Sequence, residues 1–174
     1  MATDPGSLAT ELDALSSRCA LADRSDLARL VGSGPELLGL LQRLGTGDLQ
    51  GLDVGAGRPT VLTTPKGRIV ERLIVQRRGP AETLLVGGTG AAERVLAHLA
   101  RYSFGERTEL VDRTAATCLF AVIGPEAGSA LEHAGLPRPA GWSVGAASLG
   151  DAPVDLLGHD GFGPDGFSIL APAA

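Results

Sequence analysis

Four residues, Thr64-Pro65-Lys66-Gly67, do most to constrain how this chain folds. Proline at the second position of a turn presets φ, and glycine at the fourth completes type I chemistry. On either side lie runs rich in β-branched residues: 60–63 before the turn, and Ile69, Val70, Leu73, Ile74 and Val75 after it. The pattern predicts a β-hairpin across 60–77. A hairpin commits its neighbourhood to antiparallel pairing, because parallel strands need a long crossover. Further strands are expected at 83–86, 109–112, 118–123, 142–149, 154–157 and 167–170.

Helical spacing falls between these strands. Leucines at 8, 12, 15 and 21 predict an amphipathic helix within 8–22. Gly34-Pro35-Glu36 opens a second, with Leu37, Leu38, Leu40, Leu41 and Leu44 as a broad apolar face and Gly45 as its stop. A third is expected over 89–102, with Thr89 as N-cap and Val95, Leu96, Leu99 and Tyr102 on one side. Gly124-Pro125-Glu126 opens a fourth and repeats the earlier signal, an apolar strand end followed by Gly-Pro-Glu. Two similar lobes would explain the repeat, and so would reuse of a good helix start. Hairpins mixed irregularly with helices predict an α+β fold of mainly antiparallel sheets.

Composition removes several classes of function. With 174 residues, 44% of them hydrophobic, the chain can bury a real core. Net charge is −5, and the only tight basic group is Arg77-Arg78, so nucleic acid is not expected as a partner. No apolar run reaches about 18 residues, and residues 1–6 are small and polar; a flexible start, no membrane span, no signal peptide and a cytoplasmic location are expected. Cys19 and Cys118 are expected as buried, reduced thiols. His98, His133 and His159 have no partners at metal-ligand spacing, so no metal is expected.

The stretch from Leu84 to Gly90, L-L-V-G-G-T-G, imitates a dinucleotide fingerprint, with Asp112 about 20 residues on. Glu93 stands where the third glycine would be, and a hairpin precedes the loop. A tight strand-to-helix turn is therefore expected, and no bound dinucleotide.

Four segments, taken together in order, carry a family resemblance. They are L-Q-R-L-G-T-G-D-L (from Leu41, with Asp48), L-T-T-P-K-G-R-I-V (from Leu62), A-V-I-G-P-E-A (from Ala121) and G-P-D-G-F-S-I (from Gly163, leading to Pro172). In order and spacing the chain resembles the N-terminal folate-binding region of the glycine-cleavage T-protein (aminomethyltransferase) and YgfZ-like superfamily. The resemblance implies two interleaved lobes within 7–174, one of about 20–58 and 115–174 and the other of about 59–114. It also implies a tetrahydrofolate site lined by the strand after the Lys-Gly turn. Strand alternation puts Arg72, Ile74 and Gln76 on one face of that strand and Glu71, Leu73 and Val75 on the other. Arg72, Ile74 and Gln76 are thus the candidate ligand residues, with Phe162 or Phe167 stacking nearby. T-proteins carry two acids where Glu71-Arg72 stands, and a Glu where Pro164 stands. A general base needs a carboxylate within reach; Arg72 cannot serve, so Glu71 is the one weak catalytic candidate and no catalytic residue is assigned. The YgfZ-like Cys motif lies beyond the residues matched, so the sequence corresponds to roughly the first half of a family member. Three functions stay open: a non-catalytic folate-binding protein linked to one-carbon metabolism or iron–sulfur maintenance, a subunit of an aminomethyltransferase or demethylase completed by another chain, and a ligand-free adaptor. A second chain or a homodimer is the expected protein partner.

Overall fold

A computed structural model describes residues 8–159 and 166–173. The elements in chain order are α1 (Leu8–Ser17), β1 (Ala20–Asp23), β2 (Leu27–Ser33), α2 (Leu37–Leu44), β3 (Gly57–Thr63), β4 (Ile69–Arg77), β5 (Glu82–Thr89), α3 (Ala92–Tyr102), β6 (Glu109–Asp112), a 3-10 turn (Thr114–Ala116), β7 (Thr117–Ile123), α4 (Ala127–His133), β8 (Val144–Leu149), β9 (Ala152–His159) and β10 (Gly166–Pro172). Two five-stranded sheets result, ordered β1-β7-β10-β9-β8 and β3-β4-β5-β2-β6. Every pairing is antiparallel. The expected α+β class and its antiparallel character hold.

The predicted hairpin is β3–β4. Gly67 N–H donates to Thr64 O at 2.8 Å, closing the turn, with Gly67 at φ +72. Residues of β4 and β5 then alternate between two apolar layers. Leu73, Val75 and Leu85 face α2 and α3, packing with Leu37, Leu41, Val95 and Leu99. Leu84 and Val86 face the other sheet, meeting Leu119, Leu157 and Leu170, with Ile74 half-buried beside them. A third layer, Val122, Leu156 and Phe167 against Leu131 of α4, lies on the far side of the first sheet. The order is therefore helices, sheet, sheet, helix. At about 25 cal/mol per Å² of apolar surface, the layer between the sheets is what holds the two halves together.

Arg29 on β2 crosses that layer, with no exposed surface. Its Nε donates to Thr117 Oγ1 at 2.7 Å, and its terminal nitrogens to the carbonyls of Ser25, Leu27, Thr114 and Thr117. A buried cation is tolerated because every donor finds an oxygen.

Several expectations change. The first helix stops at Ser17, and Leu21 is on β1, 67% exposed. Thr89 does not cap α3; its hydroxyl donates to Asp26 Oδ2 at 2.5 Å, and the cap position is Ala91. Both cysteines are unpaired and half-buried rather than buried, and burial pushes the Cys19 thiol up, with Glu126 adding to it. Sheet membership also runs differently from the expected lobes: β2 sits beside β5, so 27–33 goes with the hairpin sheet rather than with 115–174. Each sheet does contain one copy of the strand–Gly-Pro-Glu–helix signal, β2 to α2 and β7 to α4. Among the described residues no helix is long and apolar enough to cross a membrane.

Candidate functional site

Between the sheets, where the apolar layer ends, lies a cavity of about 350 Å³. Leu27, Ile74, Val86, Leu119 and Leu157 form its apolar wall. Arg24, Glu71, Arg72, Gln76 and Ser168 supply its polar groups, and Gly87 and Gly88 complete the lining. The alternation of β4 brings Arg72, Ile74 and Gln76 together on this wall, as the sequence suggested.

Gln76 is 1% exposed. Its Nε2 donates to Ser143 O at 3.3 Å, while its Oε1 is buried with no partner among the described residues. An orphaned buried acceptor is costly, and a ligand N–H would satisfy it. Arg72 is exposed at the rim, and its guanidinium has no hydrogen bond or ion pair among the described residues. Arg24 pairs with Asp26 at 3.3 Å.

Glu71 keeps the face that alternation gives it: it pairs in register with Leu62, whose side chain packs with Leu73, and its partner Arg94 stands on α3. The register of β3 and β4 shifts beside it, pairing Leu62 with Glu71 but Thr63 with Ile69. The two glycines opposite leave room for the side chain: a Cβ on Gly88 would come within 3.2 Å of Glu71 Oε1, and one on Gly87 within 3.6 Å of Glu71 Cγ. From that face the Glu71 carboxylate reaches the cavity lining beside Gly88. Its Oε1 accepts from Gly88 N–H at 3.3 Å and from its neighbour's N–H, Arg72, at 3.1 Å. Its Oε2 is bound by Arg94 of α3. Three protein donors thus occupy the carboxylate, two on Oε1 and one on Oε2.

The aromatic candidates behave differently. Phe167 is 3% exposed and packs in the α4 layer, one residue off the cavity face, with Arg138 above its ring at 5.7 Å. Its neighbour Ser168 lines the cavity instead, as strand alternation requires. Phe162 and Pro164 lie outside the described residues. Arg24, Leu119 and Leu157 carried no sequence signal, since they join the site only through sheet stacking. Gly87 and Gly88 were visible as a glycine pair, and their role is to admit Glu71. Among the described residues, no group of three His, Cys, Asp or Glu could hold a metal ion.

Comparison with known proteins places these features in context. Residues 5–136 match the family model described as the GCVT N-terminal domain. An aminomethyltransferase of Thermus thermophilus is 31% identical over 154 residues, 86% of this chain and 44% of its own length. One from Streptomyces coelicolor is 31% identical over 169 residues, 90% and 44% of the two chains. Among solved structures, the glycine cleavage system aminomethyltransferase T from Bartonella henselae superposes with a TM-score of 0.80 at 24% identity, covering 94% of this chain and 44% of that one. A chain of the heterotetrameric sarcosine oxidase from Corynebacterium superposes with a TM-score of 0.58 at 18% identity, covering 88% and 75%. This chain thus spans less than half the length of the aminomethyltransferases it matches.

Proposed function

Because the chain belongs to the aminomethyltransferase T-protein family through its GCVT N-terminal domain, we propose that its inter-sheet cavity binds tetrahydrofolate and that the chain by itself transfers no one-carbon unit. The observation that carries the first half is the cavity itself, apolar on its sheet-facing wall, with an acceptor at Gln76 and a cation at Arg72 that have no partner among the described residues. Small-molecule sites combine such an apolar wall with a few placed polar groups. The second half rests on Glu71, whose two oxygens are taken by Arg94 and by backbone N–H groups. A role in one-carbon metabolism or in iron–sulfur maintenance fits a non-catalytic folate protein.

Calorimetry with tetrahydrofolate tests the binding. We expect a micromolar isotherm, about −8 kcal/mol, weakened about tenfold in Gln76→Leu by loss of one buried hydrogen bond. No saturable binding to the wild type would overturn the reading. In a tetrahydrofolate-dependent aminomethyl assay, the isolated chain should show no turnover. Turnover abolished by Glu71→Gln would restore Glu71 as the acid.

A second reading is a subunit completed by another chain. It is supported by the likeness of fold to a chain of the heterotetrameric sarcosine oxidase. Co-purification of activity with a second polypeptide, lost on separation, would select it over the binding-only reading.

A further inference from the structure

The charges around the cavity are not arranged at random. Its lining holds two guanidinium groups and one carboxylate, and the partners outside the lining decide which of these act on a ligand. Arg24 is engaged by Asp26. Glu71 is engaged by Arg94, which stands on α3, outside the lining. Among the described residues Arg72 is left with its guanidinium uncompensated at the rim.

We propose that Arg94 is the positioning residue that gives this cavity its selectivity: by binding Glu71 it leaves Arg72 as the one unpaired charge among the described lining residues, so the site takes small ligands bearing an anionic group. The inference rests on the cavity being a ligand site, and it deepens that reading by naming the chemistry selected. Without Arg94, Glu71 and Arg72 would sit side by side on the wall with nearly cancelling charge. An acidic ligand would then meet a carboxylate as well as a guanidinium. With Arg94 in place, the Glu71 side chain is 12% exposed and its charge is answered from behind, whereas Arg94 itself is 54% exposed and does not enter the cavity. Gly88 keeps the approach to Glu71 open, because a Cβ there would come within 3.2 Å of Glu71 Oε1. The guanidinium fork suits a carboxylate or a phosphate equally well.

Matched ligands separate the charge effect from everything else. The probes are 4-aminobenzoyl-glutamate, its uncharged diamide and a 4-aminobenzoyl monophosphate ester, each titrated by NMR into the intact chain. The acid should bind at least about threefold tighter than the diamide, the scale of one partly exposed charge pair. A monophosphate preferred over the carboxylate would identify phosphate as the anion recognised, and it supports the inference equally. Arg94→Gln should lose the acid-over-diamide preference. Arg94→Lys should keep it, and the double variant Arg94→Gln with Glu71→Gln should regain it. A purely structural role for Arg94 would leave the double variant no better than the single one. Arg72→Ala should abolish the preference in every background. Equal binding of acid and diamide by the wild type, or no binding of either anion, overturns the inference. If 5-formyltetrahydrofolate fails to bind while the acidic fragment binds in preference to its diamide, the folate reading falls and the charge inference stands.

Discussion

Arg29 is the clearest case of one residue doing an element's work. Its guanidinium joins β2 of one sheet to β7 of the other through carbonyl and hydroxyl oxygens, with no carboxylate of the described residues in hydrogen-bonding reach. Replacing it with leucine would leave the Thr114 and Thr117 carbonyls buried without their donors. We expect Arg29→Leu to cost about 3 kcal/mol or more, read as a fall in the urea midpoint. Arg29→Lys keeps the charge but offers one compact donor group in place of a fork, so it should fall between the two. Nothing in the sequence marked this arginine. The hydrophobic pattern around it, A-R-L-V, reads as a strand whichever face carries the charge, and only the stacking of a second sheet makes the position interior.

At the scale of elements, the two Gly-Pro-Glu signals do the same job in different sheets. Gly34 and Gly124 lie at φ +110 and +126, where a side chain is strained. Each also sits against backbone: a Cβ at Gly34 would fall 1.9 Å from Arg107 O, and one at Gly124 would fall 2.6 Å from Arg18 O. Alanine at either should destabilise by more than about 1 kcal/mol, with Gly34→Ala the worse. Thermal unfolding of the two single variants checks both the size and the order. These starts, like the hairpin turn, were legible because local chemistry fixed them. The four-residue strand β1 was not, because its apolar residues continue the leucine spacing of α1 and it forms only by pairing with β7. The cavity was half legible for the same reason. Alternation on β4 placed Arg72, Ile74 and Gln76 together and Glu71 on the opposite face, but it did not announce that the Glu71 carboxylate would still reach the lining past Gly88. Phe167 was expected to stack at the site from the family resemblance, and it is its neighbour Ser168 that strand alternation turns inward.

For the molecule as a whole, carboxyl groups pull stability in opposite directions with pH. Hydrogen bonds from Ser25, from Thr89 and from Arg43 hold Asp23, Asp26 and Glu106 respectively below their ordinary values of 3.8, 3.8 and 4.5. A depressed acid stabilises the fold above its ordinary value, and that contribution is lost as the pH falls through the depressed one. Acid unfolding should therefore set in below the ordinary carboxyl range, and Asp26→Asn should make the profile shallower there. Asp155 works the other way. It joins the sheets by pairing with Arg78 at 2.5 Å, yet burial pushes its carboxyl above 3.8 more strongly than Arg78 lowers it. Ionising a raised acid costs stability as the pH rises through the raised value. Asp155→Asn should therefore hold or slightly raise stability at neutral pH, by under about 1 kcal/mol, although it deletes an ion pair. A clear loss in urea denaturation at pH 7 would reverse that assignment.

The order of strands also sets an order in time. All five strands of the hairpin sheet lie within residues 27–112, whereas the other sheet must bring β1, at 20–23, to β7 and then wait for β8, β9 and β10. A chain emerging from the ribosome N-terminus first can finish the hairpin sheet while the partner sheet still lacks four of its strands. During that interval Leu84, Val86 and Ile74 face water, because the layer that will cover them has not been synthesised. Synthesis that pauses past residue 112 exposes the apolar wall of the future cavity to whatever else is nearby, and the window of greatest aggregation risk for this protein is therefore a stretch of translation rather than a condition of the finished molecule.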